Sequence, residues 1–582
     1  MEKYDESDAS YRWHFLVFVF VLLFLGLAIK LVYIQVYDKE YILESAKRFQ
    51  THNIPIPAKR GRIYDRNGEL LAEDTILYDV IIDPIVFIAY ENTLQDIAVG
   101  YSETVKKSQK RNTFHSVVRI LKLDTQETRK KLKDKAQSRY LLLKKQVTPQ
   151  HYKMLKDLKS KGIHFTAYYK RYYPLREATA QMIGFTNGNR KAIGGVEQGM
   201  DGVLRGENGT IHIHKDGIGR KLATLPDNRP VKHGENLKLS IDLRLQYFAY
   251  KELLAAVKTS RAEYASLVAI DGWSGQVLAL ATYPSFNPNY IQQESIPYLV
   301  NHSVQTAFEP GSTIKPLIMA YSLQEAAVRG NESIVTSPGS FRIGKHRIRD
   351  PRDYGDLTLT DIIKKSSNVG MAKIALRVNG NKLYGFLSDL GVGITTGVGL
   401  ANEASGKLPL QGLSSQIARA TSSYGYGFTT TPLQLATMYT VFTNNGKIRR
   451  PSLFYSNSAT NSRRILSEVA TQQTLSMMAS VVKDGGTGKQ ADMTHFSTAG
   501  KTGTTQWYGD RGYESGVHNA MFVGVAPLNN PRYVVAVMVS KITADKYYGG
   551  AVAAPVYRNT MEKLLLMEIE NDPDLYRKSG VQ

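Results

Sequence analysis

The segment FEPGSTIKP (Phe308–Pro316) sets Ser312 three residues ahead of Lys315. On a helix, residues i and i+3 share a face, so the hydroxyl and the amine can meet. Nucleophilic serine chemistry needs a base within hydrogen-bond reach and donors aimed at the oxyanion that develops. The flanking residues supply a setting for both. Pro310-Gly311 stops the preceding structure, so Ser312 falls at or next to a helix start, at the positive end of the helix dipole. Pro316 breaks a helix interior but leaves no bond unmade in the first turn. A lysine buried there has a lowered pKa and can serve as general base. Taken alone, the same pair is an N-cap serine and a surface lysine. The chain holds one other Ser-x-x-Lys, SVVK at Ser480–Lys483, which reads as mid-helix without cap signals.

A second motif lies in KKSSNVGMAKIAL, where Ser366 and Asn368 form a Ser-x-Asn in a loop that opens an apolar helix. Such a pair can shuttle a proton and hold a substrate amide, although Ser-Ser-Asn before a helix is usually only a cap. The other Ser-x-Asn, Ser285–Asn287, precedes Ser312 and follows a predicted strand. The third motif is STAGKTGTTQW, with Lys501, Thr502, Gly503 and Thr504 at the end of a predicted strand. A strand glycine permits the close backbone approach needed where a peptide docks along a sheet edge. Lys501 and Thr502 would bind a carboxylate, and the N–H of Thr504 would join that of Ser312 as an oxyanion hole. By itself this motif is an irregular edge strand with a solvated lysine. Ser-x-x-Lys, Ser-x-Asn and Lys-Thr-Gly in this order are the signature set of penicillin-binding proteins and serine β-lactamases.

The elements that must position these groups lie between about residues 235 and 570. LKLSIDLRLQYFAYKELLAAV reads as a strand running into a helix, and YASLVAIDGWSGQVLALATYP as two buried strands joined by a turn at Gly272–Gly275. From Ser312 to about 445 the pattern is mostly helical. HNAMFVGVAP and RYVVAVMVSK form a second hairpin, and APVYRNTMEKLLLMEI a closing helix. Strands at both ends with helices between them predict one sheet covered by helices. Upstream, Asn67-Gly68 in PAKRGRIYDRNGELLAED is a two-residue hairpin signal. The stretch from about 101 to 162 alternates apolar and charged residues at helical spacing, and TIHIHK reads as an alternating strand.

At 582 residues the chain is long enough for two or more domains. It has no cysteine, which excludes disulfides, zinc-thiolate sites and a thiol nucleophile. The net charge is +22, and residues 101–170 carry 19 Lys/Arg against 5 Asp/Glu. That concentration fits either contact with an anionic surface or a solvated helical subdomain. Trp13–Val36 is long and apolar enough to span a membrane and lacks a small-x-small cleavage site, so it reads as an uncleaved signal anchor rather than a signal peptide. Lys3 and Arg12 precede it, while Lys39, Lys47, Arg48, Lys59 and Arg60 follow it, so flanking charge does not fix the orientation.

Nearly the whole chain resembles the class B penicillin-binding proteins, and within them the division-specific FtsI type. RGRIYDRNGELLA (Arg60–Ala72), YYPLREATAQMIGFTN and GGVEQGMDGVLRGENG are similar to the family's N-terminal blocks. FEPGSTIKP, KKSSNVGMAKIAL and SYGYGFTTTPLQLA (Ser423–Ala436) are similar to its catalytic blocks. KYYGGAVAAPVY (Lys546–Tyr557) resembles the division subfamily more than the elongation one. The resemblance implies an α/β transpeptidase domain, an antiparallel sheet covered by helices, on an elongated α+β pedestal with one N-terminal transmembrane helix. Its boundaries are a cytoplasmic tail at 1–12, the anchor at 13–36, the pedestal at 37–234 with the basic insert, the transpeptidase domain at 235–570 and a tail at 571–582. It implies a serine D,D-transpeptidase in which Ser312 is acylated by the D-Ala-D-Ala end of a stem peptide, an amine of a neighbouring stem then attacks, and β-lactams acylate the same serine. Lys315 would be the base, with Ser366, Asn368 and Lys501 completing the catalytic set. Thr502, Gly503 and Thr504 would bind substrate. No metal or organic cofactor is expected. The expected partners are stem peptides, the lipid-linked precursor, an FtsW-type glycosyltransferase and other division proteins, with the catalytic domain outside the inner membrane at the septum.

Other readings share some of these features. A D,D-carboxypeptidase has every motif and differs only in passing the acyl group to water. An elongation-type transpeptidase differs in subfamily blocks. A β-lactamase needs a water-activating group with no evident candidate, and a bifunctional enzyme needs a glycosyltransferase motif before residue 235. A non-catalytic division scaffold has no use for a complete nucleophile set, while a β-lactam sensor is compatible with one. A nucleic-acid binder is disfavoured by export and by the lack of an aromatic-basic recognition module.

Overall fold

The computed structural model describes residues 6–99, 113–215, 221–409, 412–509 and 512–571. Two compact units emerge: Met1–Lys59 with Gly206–Gly234, and Arg60–Arg205 with Glu235–Gln582.

In the first unit a helix runs Glu6–Val32 and ends in a π-turn at Tyr33–Tyr37. Its apolar side chains are exposed on all sides, Phe20 and Phe24 among them. A helix apolar all round and uncovered by protein suits hydrocarbon, and Tyr11–Tyr37 is long enough to cross it. Thr51–Ile56, Gly209–Lys215 and Lys221–Thr224 form a three-stranded antiparallel sheet with Gly209–Lys215, which includes TIHIHK, at its centre.

In the second unit, Ile63–Tyr64 and Leu70–Ile82 form the hairpin expected around Asn67-Gly68. Its turn is longer than two residues. The Asp65 carboxylate accepts from the backbone N–H groups of Asn67 and Glu69, both at 2.8 Å, and Gly68 takes φ +93°. Leu70–Ile82 also pairs with Leu141–Val147 and Ile163–Tyr172. The basic stretch is helical at Thr113–Leu121, Thr125–Asp134 and Pro149–Asp157, but Leu141–Val147 is a strand. There the available ladder partner overrides the helical spacing. Residues 101–112 of that stretch lie outside the described residues.

The first and third of the N-terminal blocks, through Arg60 and through Glu197 and Asp201, meet Arg171, Arg190 and Asp74 in one ion network. Arg60 Nε donates to Glu197 Oε2 at 2.5 Å and Arg60 Nη1 to Asp201 Oδ1 at 2.6 Å. Arg171 Nε donates to Glu197 Oε1 at 2.7 Å, and Arg190 Nη2 to Asp74 Oδ2 at 2.7 Å. Arg60, Arg171, Glu197 and Asp74 are all buried.

The catalytic body is a five-stranded antiparallel sheet of β1 (Tyr264–Asp271), β2 (Val277–Tyr283), β3 (Ala499–Gly509), β4 (Gly512–Ala526) and β5 (Tyr533–Ile542), in the order β2-β1-β5-β4-β3. Every residue of β1 is buried, because helices cover both faces. Leu267 and Ala269 point into a core with α1 (Leu243–Ser260), capped by the Asp242 carboxylate, while Val268 and Ile270 point into the opposite core. That second core holds α2 (Lys315–Gln324), α3 (Leu359–Lys365), α4 (Asn368–Leu376) and α5 (Pro432–Tyr439). The closing helix, α6 (Gly549–Asn571), packs with α1. The sheet and its covering helices are those expected from the sequence, but the strand expected in LKLSIDLRLQ reduces to Leu237–Lys238, which pairs with Ile63–Tyr64 outside this sheet. Two small two-stranded sheets inside the helical region are not expected, a hairpin of Ser340–Ile343 with His346–Arg349 and, enclosing it, the pair Ser333–Val335 with Asp356–Thr358.

Glu197→Ala leaves two buried guanidinium groups without their shared carboxylate. Removing one partner of a buried ion pair costs about 3–5 kcal/mol. Urea unfolding of the detergent-solubilised chain should show a loss of that order.

Candidate active site

Gly311–Ile314 forms a single 3₁₀ turn leading directly into α2, so Ser312 lies just before the helix and Lys315 is its first residue. Gly311 takes φ +53°, and a Cβ there would stand 2.6 Å from Thr505 Cγ2 on β3. The turn is pinned from two more directions. The Gly311 N–H donates to Gly425 O at 3.1 Å, and the Tyr439 hydroxyl of α5 donates to Thr313 O at 2.5 Å. Pro316 sits in the first turn of α2, where it removes no helical bond.

Lys315 is fully buried, and its amine lies 2.7 Å from Ser366 O, 3.2 Å from Ser366 Oγ and 2.7 Å from Asn368 Oδ1. The expected direct bond between Ser312 and Lys315 is not made: among the described residues the Ser312 hydroxyl has no hydrogen-bond partner. The amine is instead drawn to the stronger carbonyl acceptors of the 366–368 loop. Ser366 sits between α3 and α4 with φ +59°, and Ser367 caps α4 by accepting from the Gly370 N–H at 2.9 Å.

Lys501 is the third residue of β3, near the start of the strand rather than at its end. It is fully buried, and its amine lies 2.9 Å from Ser366 Oγ and 3.1 Å from Thr502 O. Strand β3 is the sheet edge, open for pairing. A Cβ on Gly503 would meet Thr313 Cγ2 at 2.9 Å, so only glycine lets the strand lie this close to the Ser312 turn. Thr502 Oγ1 is 2.7 Å from Thr487 Oγ1, and Thr504 Oγ1 accepts from the Gly549 N–H at 3.0 Å, tying β3 to the start of α6.

The three motifs therefore converge on the hydroxyl of Ser366. Burial, and secondarily the positive charge of Lys501, holds the Lys315 amine well below its ordinary pKa, with Asp350 acting in the opposite sense. Burial brings Lys501 down to about 7. A serine hydroxyl has one proton to give and two lone pairs. With one amine neutral, Ser366 can donate to it and accept from the other, which makes a proton path between the two lysines.

Asp350 was not anticipated from the sequence. Its carboxylate accepts from Ser367 Oγ at 2.5 Å, Asn368 N at 2.5 Å and Val369 N at 3.1 Å, and so fixes the 366–368 loop. Its hairpin does have a signal, the alternation FRIGKHRIR across Gly344. The two decoy motifs lie elsewhere. Ser480 follows the end of the helix Glu468–Ala479, rather than its middle, and donates to Met477 O at 2.6 Å, while Lys483 pairs with Asp492 at 2.8 Å. Ser285 donates to Glu177 O and Gln181 Oε1, both at 2.7 Å.

Residues 265–562 match the penicillin binding protein transpeptidase domain family, and residues 55–239 the penicillin-binding protein dimerisation domain family. The chain belongs to the class B penicillin-binding proteins. It is 34% identical over 98% of its length to the peptidoglycan D,D-transpeptidase FtsI of Escherichia coli, 95% of which is covered. It is 32% identical over 95% of its length to the probable peptidoglycan D,D-transpeptidase PbpC of Pseudomonas aeruginosa, 94% of which is covered. Among solved structures, the transpeptidase domain of Burkholderia pseudomallei penicillin-binding protein 3 covers 57% of the chain at 33% identity, with 96% of that domain matched and a TM-score of 0.52. A peptidoglycan synthetase from Bifidobacterium adolescentis shares the fold across 89% of the chain and 97% of its own, at 23% identity and a TM-score of 0.67. In this penicillin-binding protein the three family motifs are the three segments that meet at Ser366.

Lys501 gives a stability signature with a defined sign. Its folded pKa lies below the unfolded value, so the unfolded chain binds more protons between about pH 7 and 10 and stability rises with pH in that window. Relative to Lys501→Met, the parent chain should gain up to about 1.4 kcal/mol per pH unit from this group. Urea unfolding of both chains across the window measures the difference.

Proposed function

We propose that the chain is a septal peptidoglycan D,D-transpeptidase whose nucleophile is Ser312. The observation that carries the reading is the convergence of Lys315 and Lys501 on Ser366 Oγ, at 3.2 and 2.9 Å. Neutral Lys315 takes the proton from Ser312 Oγ as that oxygen attacks the carbonyl between the last two D-alanines. The backbone N–H groups of Ser312 and Thr504 stabilise the oxyanion. As the C–N bond breaks, the departing D-alanine amine receives a proton from Lys501 through the Ser366 hydroxyl, leaving an acyl ester on Ser312. The surplus proton on Lys315 passes through Ser366 back to Lys501. An amine of a neighbouring stem peptide then attacks the ester, gives up a proton to the lysine pair and forms the cross-link, while Ser312 Oγ regains its proton.

Asn368 orients Lys315 and holds the substrate amide. Lys501 and Thr502 receive the terminal carboxylate, and Gly503 keeps β3 close enough to the Ser312 turn for one peptide to reach both. Residues 37–234 act as the pedestal and 235–570 as the catalytic domain. Residues 13–36 anchor the chain in the inner membrane, with 1–12 in the cytoplasm and the catalytic domain outside, where its substrate lies. The septal assignment is supported by the FtsI relatives and implies an FtsW-type glycosyltransferase as supplier of nascent strands.

Fluorescent penicillin should label the full chain and fail to label Ser312→Ala. Labelling that persists in the variant removes Ser312 as nucleophile. Depletion in the native cell should give filaments, and rounded cells would place the enzyme in elongation instead.

A further inference from the structure

The hairpin of Ser340–Ile343 and His346–Arg349 is bonded directly to the 366–368 loop. Its Arg349 carbonyl accepts from Asn368 Nδ2 at 3.2 Å, and Asn368 Oδ1 lies 2.7 Å from the Lys315 amine. One side chain therefore separates the hairpin backbone from the general base. Strand alternation sorts the hairpin into two faces. Phe341, Ile343 and Ile348 belong to a small core with Val369 and Ala372 of α4. The other face carries Arg342, Arg347 and Arg349, all exposed, with Arg342 directly across from Arg347 and Ser340 across from Arg349. Arg347 Nη2 donates to Ser340 Oγ at 3.0 Å, which places the two on the same face.

Residues 340–352 hold five Lys/Arg against one carboxylate, and that carboxylate, Asp350, is engaged by Ser367, Asn368 and Val369. None of the three arginines forms an ion pair among the described residues. Like charges directly opposite each other weaken a ladder, so the Arg342–Arg347 pair does nothing for folding. Exposed guanidinium groups side by side are instead a setting for carboxylates, whose two oxygens match the planar fork. The reaction calls for such a site. The proposed function seats the acylating peptide along β3, so the attacking amine has to arrive past another wall, and the 366–368 loop with its hairpin is the one that also holds the base. The attacking stem peptide is an anion through its C-terminal carboxylate at least.

We propose, resting on that transpeptidase reading, that the arginine face of this hairpin is the acceptor site, where Arg342, Arg347 and Arg349 hold the terminal carboxylate of the stem peptide whose amine attacks the Ser312 ester. In that step the new C–N bond forms, the C–O bond to Ser312 breaks, the amine gives its proton to the lysine pair and Ser312 Oγ is reprotonated. The arginines keep their protons throughout and act only by holding the peptide beside the ester, which favours an amine over water as the attacking group.

The test uses the full chain in detergent, acylated by a soluble N-acyl-D-alanyl thioester, with two soluble stem peptides as acceptors. Both attack through the same lysine side-chain amine, and they differ only in ending with a carboxylate or a carboxamide. Mass spectrometry reads the ratio of cross-linked to hydrolysed donor, so each chain serves as its own reference. The parent chain should favour the carboxylate peptide by about tenfold. That preference should shrink as salt rises from about 0.05 to about 0.5 M, because the arginines are exposed. Arg342→Gln, Arg347→Gln and Arg349→Gln combined should erase the preference, whereas the three Arg→Lys changes combined should keep part of it. A parent chain with no preference, a preference indifferent to salt, or one that survives the glutamine substitutions overturns the proposal. Hydrolysis alone with both peptides would instead mark failure of the underlying transpeptidase reading and remove the proposal with it.

Discussion

Lys315 and Lys501 are both fully buried, and each holds its amine within 3.2 Å of the same oxygen, Ser366 Oγ. Two ammonium charges held at most about 6 Å apart by these two distances repel by at least about 3 kcal/mol even at an effective dielectric of 20, before either amine's own desolvation is counted. Both cannot comfortably be charged at neutral pH. A buried neutral amine beside a buried ammonium, linked by a hydroxyl, is a base and an acid held ready in one cluster. The cluster sets the conditions that the surrounding structure has to meet, because the arrangement is costly and would relax if its parts could move.

The frame restrains each part from a different element. Strand β3 brings Lys501 in along the sheet edge, and it lies close to the nucleophile turn only because Gly503 and Gly311 carry no side chain where Thr313 and Thr505 stand. Asp350 holds the Ser367–Val369 backbone, so Asn368 and Ser366 face Lys315. Tyr439 and Gly425 fix the turn from the helical side. A sheet buried on both faces supplies the stiffness that lets these contacts hold. The Arg60–Glu197–Arg171 network does comparable work in the N-terminal part of the same unit, joining blocks far apart in the chain.

Much of this was readable in the sequence. Alternation and continuous apolar runs mark β1, β2, β4 and β5, because a doubly covered sheet leaves no polar face to confuse the pattern. The helix start at Ser312 follows from Pro310-Gly311 and Pro316, and the order of the three motifs separates Ser312 from Ser480. What spacing could not give is which atoms meet. The i, i+3 relation suggested a Ser312–Lys315 bond, whereas the 3₁₀ turn and the carbonyl acceptors at 366–368 direct the amine away from Ser312. Asp350 was missed because its role depends on a short hairpin folding back over α4, a contact with no local sequence period. Leu141–Val147 has a helix-like spacing yet is a strand, because spacing says nothing about a vacant ladder on the neighbouring strand.

The central claim is that Lys315 is kept neutral by burial and by its neighbour across Ser366, against the pull of Asp350. The pH dependence of Ser312 acylation by benzylpenicillin tests it most directly, in the parent chain, Lys501→Met and Asp350→Asn. In the parent chain the acylation rate should fall on acidification with a midpoint well below the ordinary lysine value of about 10.4. Removing the Lys501 charge should move that midpoint up, and neutralising Asp350 should move it down. A midpoint that stays put in both variants, or one near the ordinary lysine value in the parent, would contradict the account.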